Sequence, residues 1–119
     1  MLVMSDGARV VARRPTEPRI GAAIADLQRG DVVIVERVDD GESGDWYVQV
    51  LMREDNTFQL EYREGVPAEH YQTRTVSREK TVAAVLGWVK GEPGWKAAFM
   101  WNNVASCFDG DGIVAPPSP

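Results

Sequence analysis

The sequence has few of the residues that bind metal ions, form disulfides or act as nucleophiles. Its 119 residues include one cysteine, Cys107, and one histidine, His70. A single cysteine excludes an intrachain disulfide, and one residue of each kind falls short of the ligand set of a structural zinc site. No apolar run approaches the roughly 20 residues that a membrane-spanning helix requires. We therefore expect no metal, no cofactor and no insertion into a membrane.

Basic residues are also in the minority. The chain has 13 lysines and arginines against 18 aspartates and glutamates, a formal net charge of -5. This balance disfavours binding to nucleic acid or anionic membranes, and it suits a basic protein partner. The N-terminus lacks the order of a signal peptide, because its arginines follow the short apolar stretch. Together with the single cysteine, these features predict a cytoplasmic protein.

The length and the 44% apolar content suit one domain over residues 1–119. We expect its core at about residues 16–105, with a loose N-terminus at 1–8 and an unstructured tail at 109–119. The segment "ARVVA" within the first 15 residues is open to a second interpretation as a short edge strand.

Two helices are predicted. In "TEPRIGAAIADLQRG", Thr16 is a cap candidate, Ile20 and Ile24 recur at helical spacing, and Gly30 is a natural stop. The second helix starts near Ser77 and ends at Gly91, which suits a left-handed cap. Its apolar stripe, expected to be buried, comprises Val82, Val85, Leu86 and Val89.

Between the helices, four runs at residues 32–38, 46–52, 57–63 and 69–76 have the composition or alternation of strands. Short polar joints link consecutive runs, which favours an antiparallel meander. One face should carry Val48, Val50, Phe58 and Leu60, or their alternates, into the core. We therefore predict an α+β, two-layer fold with a four-stranded antiparallel meander flanked by an N-terminal and a C-terminal helix.

Three of the four tryptophans lie in "GWVKGEPGWKAAFMWNN", at Trp88, Trp95 and Trp101. A ligand cage would need their rings to converge on an open cavity. The alternative, which we favour, is that these rings close the core and cap one end of the sheet, because each buries a large apolar area. The stretch "WKAAFMWNNV" at residues 95–104 is expected to add a final helical turn or two.

The most distinctive polar stretch is "DDGESGD", which has four acidic residues and no basic one in seven positions. Binding residues often lie on such loops, although a solvated hairpin turn has the same composition. An aromatic residue beside the loop is a possible anchor for a partner. The predicted protein-binding residues are Asp39, Asp40, Glu42, Asp45, Trp46 and Tyr47.

No set of catalytic residues is evident in the sequence. A nucleophilic Cys107 would need a base and a substrate groove, and nothing places two carboxylates in one desolvated cleft. There is also no glycine-rich phosphate loop after a strand. We expect the protein not to be an enzyme.

The C-terminal half from Trp46 to Trp101 is similar in style to small proteins found widely in actinobacteria, a group without an assigned activity. From Phe58 to Trp101 its layout also resembles a family of bacterial immunity proteins, which neutralise toxin domains including nucleases and nucleic-acid deaminases. The shared features are an antiparallel meander, a helix opening like "VSREKTVAAVLGWV", a linker like "KGEP" and a terminal tryptophan in a context like "FMW". This resemblance implies a protein-binding role without catalysis.

The function expected from the sequence is that of a protein-binding domain, with a basic toxin domain as the partner and the chain as monomer or homodimer. Two alternatives stay open. One is a small chaperone or adaptor that dimerises through an exposed sheet face. The other is a small-molecule-binding domain with a pocket between helix and sheet.

Overall fold

A single antiparallel sheet forms the centre of the computed structural model, which describes residues 1–39, 41 and 43–108. Seven strands lie in the order β2-β1-β3-β4-β5-β6-β7 in this part of the chain. Two α-helices, α1 at Glu17–Ala25 and α2 at Arg78–Lys90, complete the α+β fold. The strands are β1 Leu2–Ser5, β2 Val10–Arg13, β3 Val32–Arg37, β4 Asp45–Met52, β5 Phe58–Gly65, β6 His70–Thr75 and β7 Asn102–Asn103.

The helices begin where their caps predict. The Thr16 hydroxyl accepts a hydrogen bond from the Arg19 N–H at 3.3 Å, and the Ser77 hydroxyl accepts one from the Lys80 N–H at 3.1 Å. Gly91 ends α2 with a φ of 71°, as a left-handed cap requires. The first helix ends earlier than predicted, at Ala25, and Gly30 lies in the loop that follows.

The core lies between the two helices and one face of the sheet. Val48, Val50, Phe58 and Leu60 are buried there, which confirms the alternation predicted for β4 and β5. Ile20 and Ile24 of α1 are buried against the same cluster.

The apolar stripe predicted for α2 is partly wrong. Val85 is buried, but the other buried residues of the helix are Thr81, Ala84, Gly87 and Trp88. Val82, Leu86 and Val89 are only half-buried. The reason is that α2 packs against α1 as well as the sheet, so its apolar side chains divide between two neighbours.

The sheet has three strands more than the sequence predicted, and the expectation of a loose N-terminus at residues 1–8 is wrong. Leu2–Ser5 pair with β3 along their whole length, and Met4 is 1% exposed. The Asp6 carboxylate accepts hydrogen bonds from the N–H groups of Ala8 and Arg9, which closes the turn into β2. Strands of four residues are too short for alternation to identify them.

The segment after α2 also differs from the prediction. Residues 93–99 form turns rather than added helix, and the chain then pairs with β6 as the two-residue β7. A 3-10 helix at Ala105–Phe108 follows. The predicted tail at 109–119 lies outside the described residues.

Two arginines join neighbouring elements in the same way, one linking β3 to α2 and the other linking the start of α2 to the end of α1. Arg37 on β3 donates to the Trp88 carbonyl at 2.6 Å, and its guanidinium lies 4.4 Å from the centre of the Trp88 ring. Arg78 donates to the Ile24 and Ala25 carbonyls at the end of α1. Each cation therefore satisfies carbonyls at a helix C-terminus, where positive charge is favourable. No helix in the described residues is both long and apolar enough to cross a membrane.

Candidate protein-binding surface

The predicted acidic loop is the connection between β3 and β4. Asp39 is exposed with a φ of 57°, a left-handed conformation that aspartate tolerates better than most residues. Asp45 opens β4, and its side chain is 74% exposed. Asp40 and Glu42 lie outside the described residues. Both residues are therefore exposed at one end of the sheet, and the Asp45 carboxylate also forms an ion pair with Arg63 at 3.8 Å.

The two predicted anchors lie on opposite faces of β4, so they do not form one site. The half-buried Trp46 is on the side of the helices, and its indole N–H donates to the Ser43 carbonyl at 3.0 Å. Its ring packs closely on Gly65, where an added Cβ would come within 3.3 Å of it. Tyr47 points to the other face, with its ring edge against His70.

An acidic cleft lies beside this loop, with a volume of about 570 Å³. Trp46 contributes an aromatic wall, and Glu36, Asp39 and Asp45 contribute carboxylates. Arg37 also lines the cleft, although its guanidinium is engaged with the end of α2. We call this the acidic cleft.

The opposite side of the sheet, which we call the helix-free face, carries neither α-helix. The pairing of Val32 with Leu51 and of Ile34 with Gln49 places three half-buried aliphatic side chains together on the face. Polar and charged side chains follow across β5 and β6. The helix-free face includes Val3, Ser5, Arg13, Val32, Ile34, Glu36, Tyr47, Gln49, Leu51, Gln59, Glu61, Arg63, His70, Gln72 and Arg74.

A network of hydrogen bonds organises the polar part of this face around His70. The imidazole Nε2 lies 2.9 Å from Glu61 Oε1, and Arg63 Nε donates to Nδ1 at 3.1 Å. Since Nδ1 accepts a hydrogen bond, the proton of the neutral ring is on Nε2 and is donated to Glu61. Gln59 donates to the second carboxylate oxygen of Glu61 at 2.9 Å. The Tyr47 hydroxyl is 3.4 Å from Nδ1.

The network also sets the charge state of Glu61. Burial on its own would raise the pKa of this carboxyl, but hydrogen bonds from His70 and Gln59 outweigh that cost and lower it. Arg63 adds a favourable positive charge. Glu61 therefore stays ionised at neutral pH as a fixed negative group on the helix-free face.

The geometry does not present His70 as a general base. The residue is only 2% exposed, and both ring nitrogens already have partners within the chain. Its place in the network holds Tyr47, Glu61 and Arg63 in one arrangement. The sequence did not indicate this role, because it depends on the register that sets Arg63 opposite His70.

The tryptophans are structural, as we favoured from the sequence. Trp88 is 5% exposed within the core, while Trp95 and Trp101 pack edge-on against Tyr62. The aromatic cluster of Tyr62, Trp95 and Trp101 also has a cation–π contact, since the Lys96 ammonium lies 4.8 Å from the centre of the Tyr62 ring.

The described residues include no group of three or more histidines, cysteines, aspartates or glutamates arranged to hold a metal ion. Cys107 is buried in the last 3-10 helix. No family model matches the chain, and neither does a curated protein or a solved structure.

Proposed function

We propose that this chain is a non-enzymatic protein-binding domain, an immunity partner that neutralises a basic toxin domain by covering it with the helix-free face. The observation that supports the proposal best is the make-up of that face. It combines a half-buried aliphatic patch with a fixed polar network, and it ends at two exposed aspartates, of which Asp45 is paired with Arg63.

The aliphatic patch supplies the centre of the interface. Val32, Ile34 and Leu51 keep part of their surface in water although they lie side by side on adjacent strands. Affinity in protein complexes comes chiefly from such central groups, which lose their remaining water when a partner covers them. Polar groups held in place beforehand, such as Glu61 and Gln59, lower the entropic cost of binding.

The acidic cleft supplies charge complementarity. Glu36, Asp39 and Asp45 lie at the end of the face where β3 turns into β4. A toxin that acts on nucleic acid carries a basic site, and opposite charge accelerates association and orients the partners. The resemblance of the segment from Phe58 to Trp101 to immunity proteins favours this class of partner over others.

The first test measures binding of the purified chain to the product of the adjacent gene. Replacement of Leu51 by Lys places a positive charge at the centre of the face, and we expect binding at least tenfold weaker. Met100→Lys is the matched control, because Met100 is 90% exposed in the segment after α2. Full binding by the Leu51 variant, or binding by no neighbouring product, would contradict the proposal.

The second test concerns the charges. Asp39→Asn with Asp45→Asn should slow association and weaken its dependence on salt. The control, Asp26→Asn with Glu54→Gln, also removes two exposed carboxylates but away from the face. Equal association rates for the two double variants would remove the acidic cleft from the proposal.

The chaperone or adaptor alternative uses the same face. It would be favoured if the chain alone is a homodimer whose interface includes Ile34 and Leu51. Light scattering of the parent and of Leu51→Lys decides this, since only a dimer through the helix-free face would dissociate in the variant.

A further inference from the structure

The outer edge of β2 is a second surface, at the end of the sheet opposite β7. Its Arg13 side chain borders the helix-free face, because Arg13 and Glu36 both pair with Val3. Within the described residues β2 pairs with β1 alone and ends the sheet on that side. The Arg14 N–H donates to the Leu2 carbonyl at 2.8 Å. Backbone groups alternate in direction along an antiparallel pair, so the N–H and C=O of Arg13 point away from β1.

The same edge exposes apolar side chains. Val10 is 46% exposed and Val11 is 43% exposed, although β-branched residues on a strand usually pack against a neighbour. A strand that exposes backbone donors and acceptors beside two valines offers both contacts that an added strand uses.

The charge on this edge is opposite to that of the whole chain. Arg9, Arg13 and Arg14 are exposed, and residues 9–14 contain no acidic residue. In the part of the chain that the structure describes, none of the three arginines forms an ion pair. Three cations within six residues form a local positive patch on a protein of net charge -5.

We propose that the β2 edge binds an extended acidic segment of another protein, which adds to the sheet as a further strand. Main-chain hydrogen bonds to Arg13 would align the segment, and its carboxylates would pair with the arginines. A second copy of this chain fits less well. Antiparallel pairing of two β2 strands centred on Val11 sets Arg9 opposite Arg13 of the other copy, and like charges directly opposite are destabilising.

Arginines at a strand edge can also serve only to prevent aggregation. The test therefore uses a soluble ten-residue peptide that alternates Glu and Thr, with a Lys and Thr peptide of the same length as the control. We expect saturable shifts of the Val11 and Arg13 amide signals with the acidic peptide, slower hydrogen exchange at Arg13, and affinity that falls as salt rises. No saturable shift up to millimolar peptide, or equal binding of the lysine peptide, would overturn the proposal. So would a concentration-dependent dimer that protects β2.

Two variants separate charge from backbone. Arg9→Gln with Arg13→Gln should weaken peptide binding at least tenfold, whereas Arg19→Gln with Arg29→Gln, which removes two exposed charges elsewhere, should leave it within twofold. Arg13→Pro should bind the peptide more weakly than Arg13→Gln, because it also removes the outward N–H. The variant should still fold, since proline is tolerated on edge strands. The proposal would be refuted if the double variant Arg9→Gln with Arg13→Gln bound the peptide as tightly as the parent protein does. Leu51→Lys, on β4 and separated from β2 by two strands, should weaken binding of the adjacent-gene product and leave peptide binding within twofold, so the two proposals fail independently.

Discussion

The two faces of the sheet belong to the same strands but differ in burial and in the interactions that order their side chains. On β4 and β5 the side chains that point to the helices, such as Val50 and Leu60, are almost entirely buried. Their neighbours one residue away, Leu51 and Gln59, are only half-buried on the helix-free face. The covered face obtains its order from close packing, whereas the helix-free face obtains it from hydrogen bonds around His70. A face that is ordered before any partner arrives is suited to binding.

The largest expected effect contrasts one leucine from each face. Leu60→Ala should lower the free energy of unfolding by about 2–5 kcal/mol, because Leu60 is fully buried and its removal leaves a cavity. Leu51→Ala should cost about 1 kcal/mol or less, because Leu51 is half-exposed. Urea denaturation of both variants measures the difference. Equal losses would show that the two faces do not differ in packing.

The contact between α2 and the segment after it gives a smaller effect. Gly87 is buried, and a Cβ added there would lie 2.7 Å from the Trp95 Cβ. We expect Gly87→Ala to cost about 1–3 kcal/mol through forced displacement of Trp95. Gly94→Ala, with nothing within 4 Å of its added Cβ, is the matched control. If the two variants have the same thermal midpoint, Trp95 does not pack on α2 as described.

The smallest effect concerns the polar network and is a dependence on pH. Because the pKa of Glu61 is lowered in the folded state, its contribution is fully present above the unfolded pKa, near 4.5, and is lost as pH falls through the lower folded pKa. Glu61→Gln should therefore flatten the fall in unfolding free energy over that acidic range. The contributions of Asp6 and Asp55, whose pKa values are also lowered, stay the same in this variant.

Urea titrations at several pH values from 7 down to about 3 would measure this slope. Glu54→Gln is the control, since Glu54 is exposed in the turn between β4 and β5. If Glu61→Gln and Glu54→Gln lose stability in parallel with the parent, the hydrogen bonds from His70 and Gln59 do not hold the Glu61 carboxylate.

The sequence was sufficient for the elements that carry a repeating pattern or a cap. Thr16, Ser77 and Gly91 located helix ends, because their side-chain or backbone chemistry acts within a single turn. The alternation of β5 placed Phe58 and Leu60 on one face, because side chains two residues apart on a strand point the same way. Such signals are local, and no tertiary contact is needed to interpret them.

Features that depend on register or on distant contacts were not accessible from the sequence. β1 and β2 are too short for alternation to show, and their place in the sheet depends on pairing with β3. The His70 network requires β5 and β6 to be aligned. Trp46 and Tyr47 were both proposed beside the acidic loop, but neighbouring residues of a strand point to opposite faces, so each belongs to a different surface.

The most direct test of the proposed function is a footprint of the bound partner. Amide hydrogen exchange of this chain, measured alone and with the product of the adjacent gene, would locate the surface that becomes protected. We expect added protection in β3 and β4 around Ile34 and Leu51 and in the loop at Asp39, with α1 and α2 unchanged. Protection confined to the helices, or none at a concentration where the two proteins bind, would contradict it.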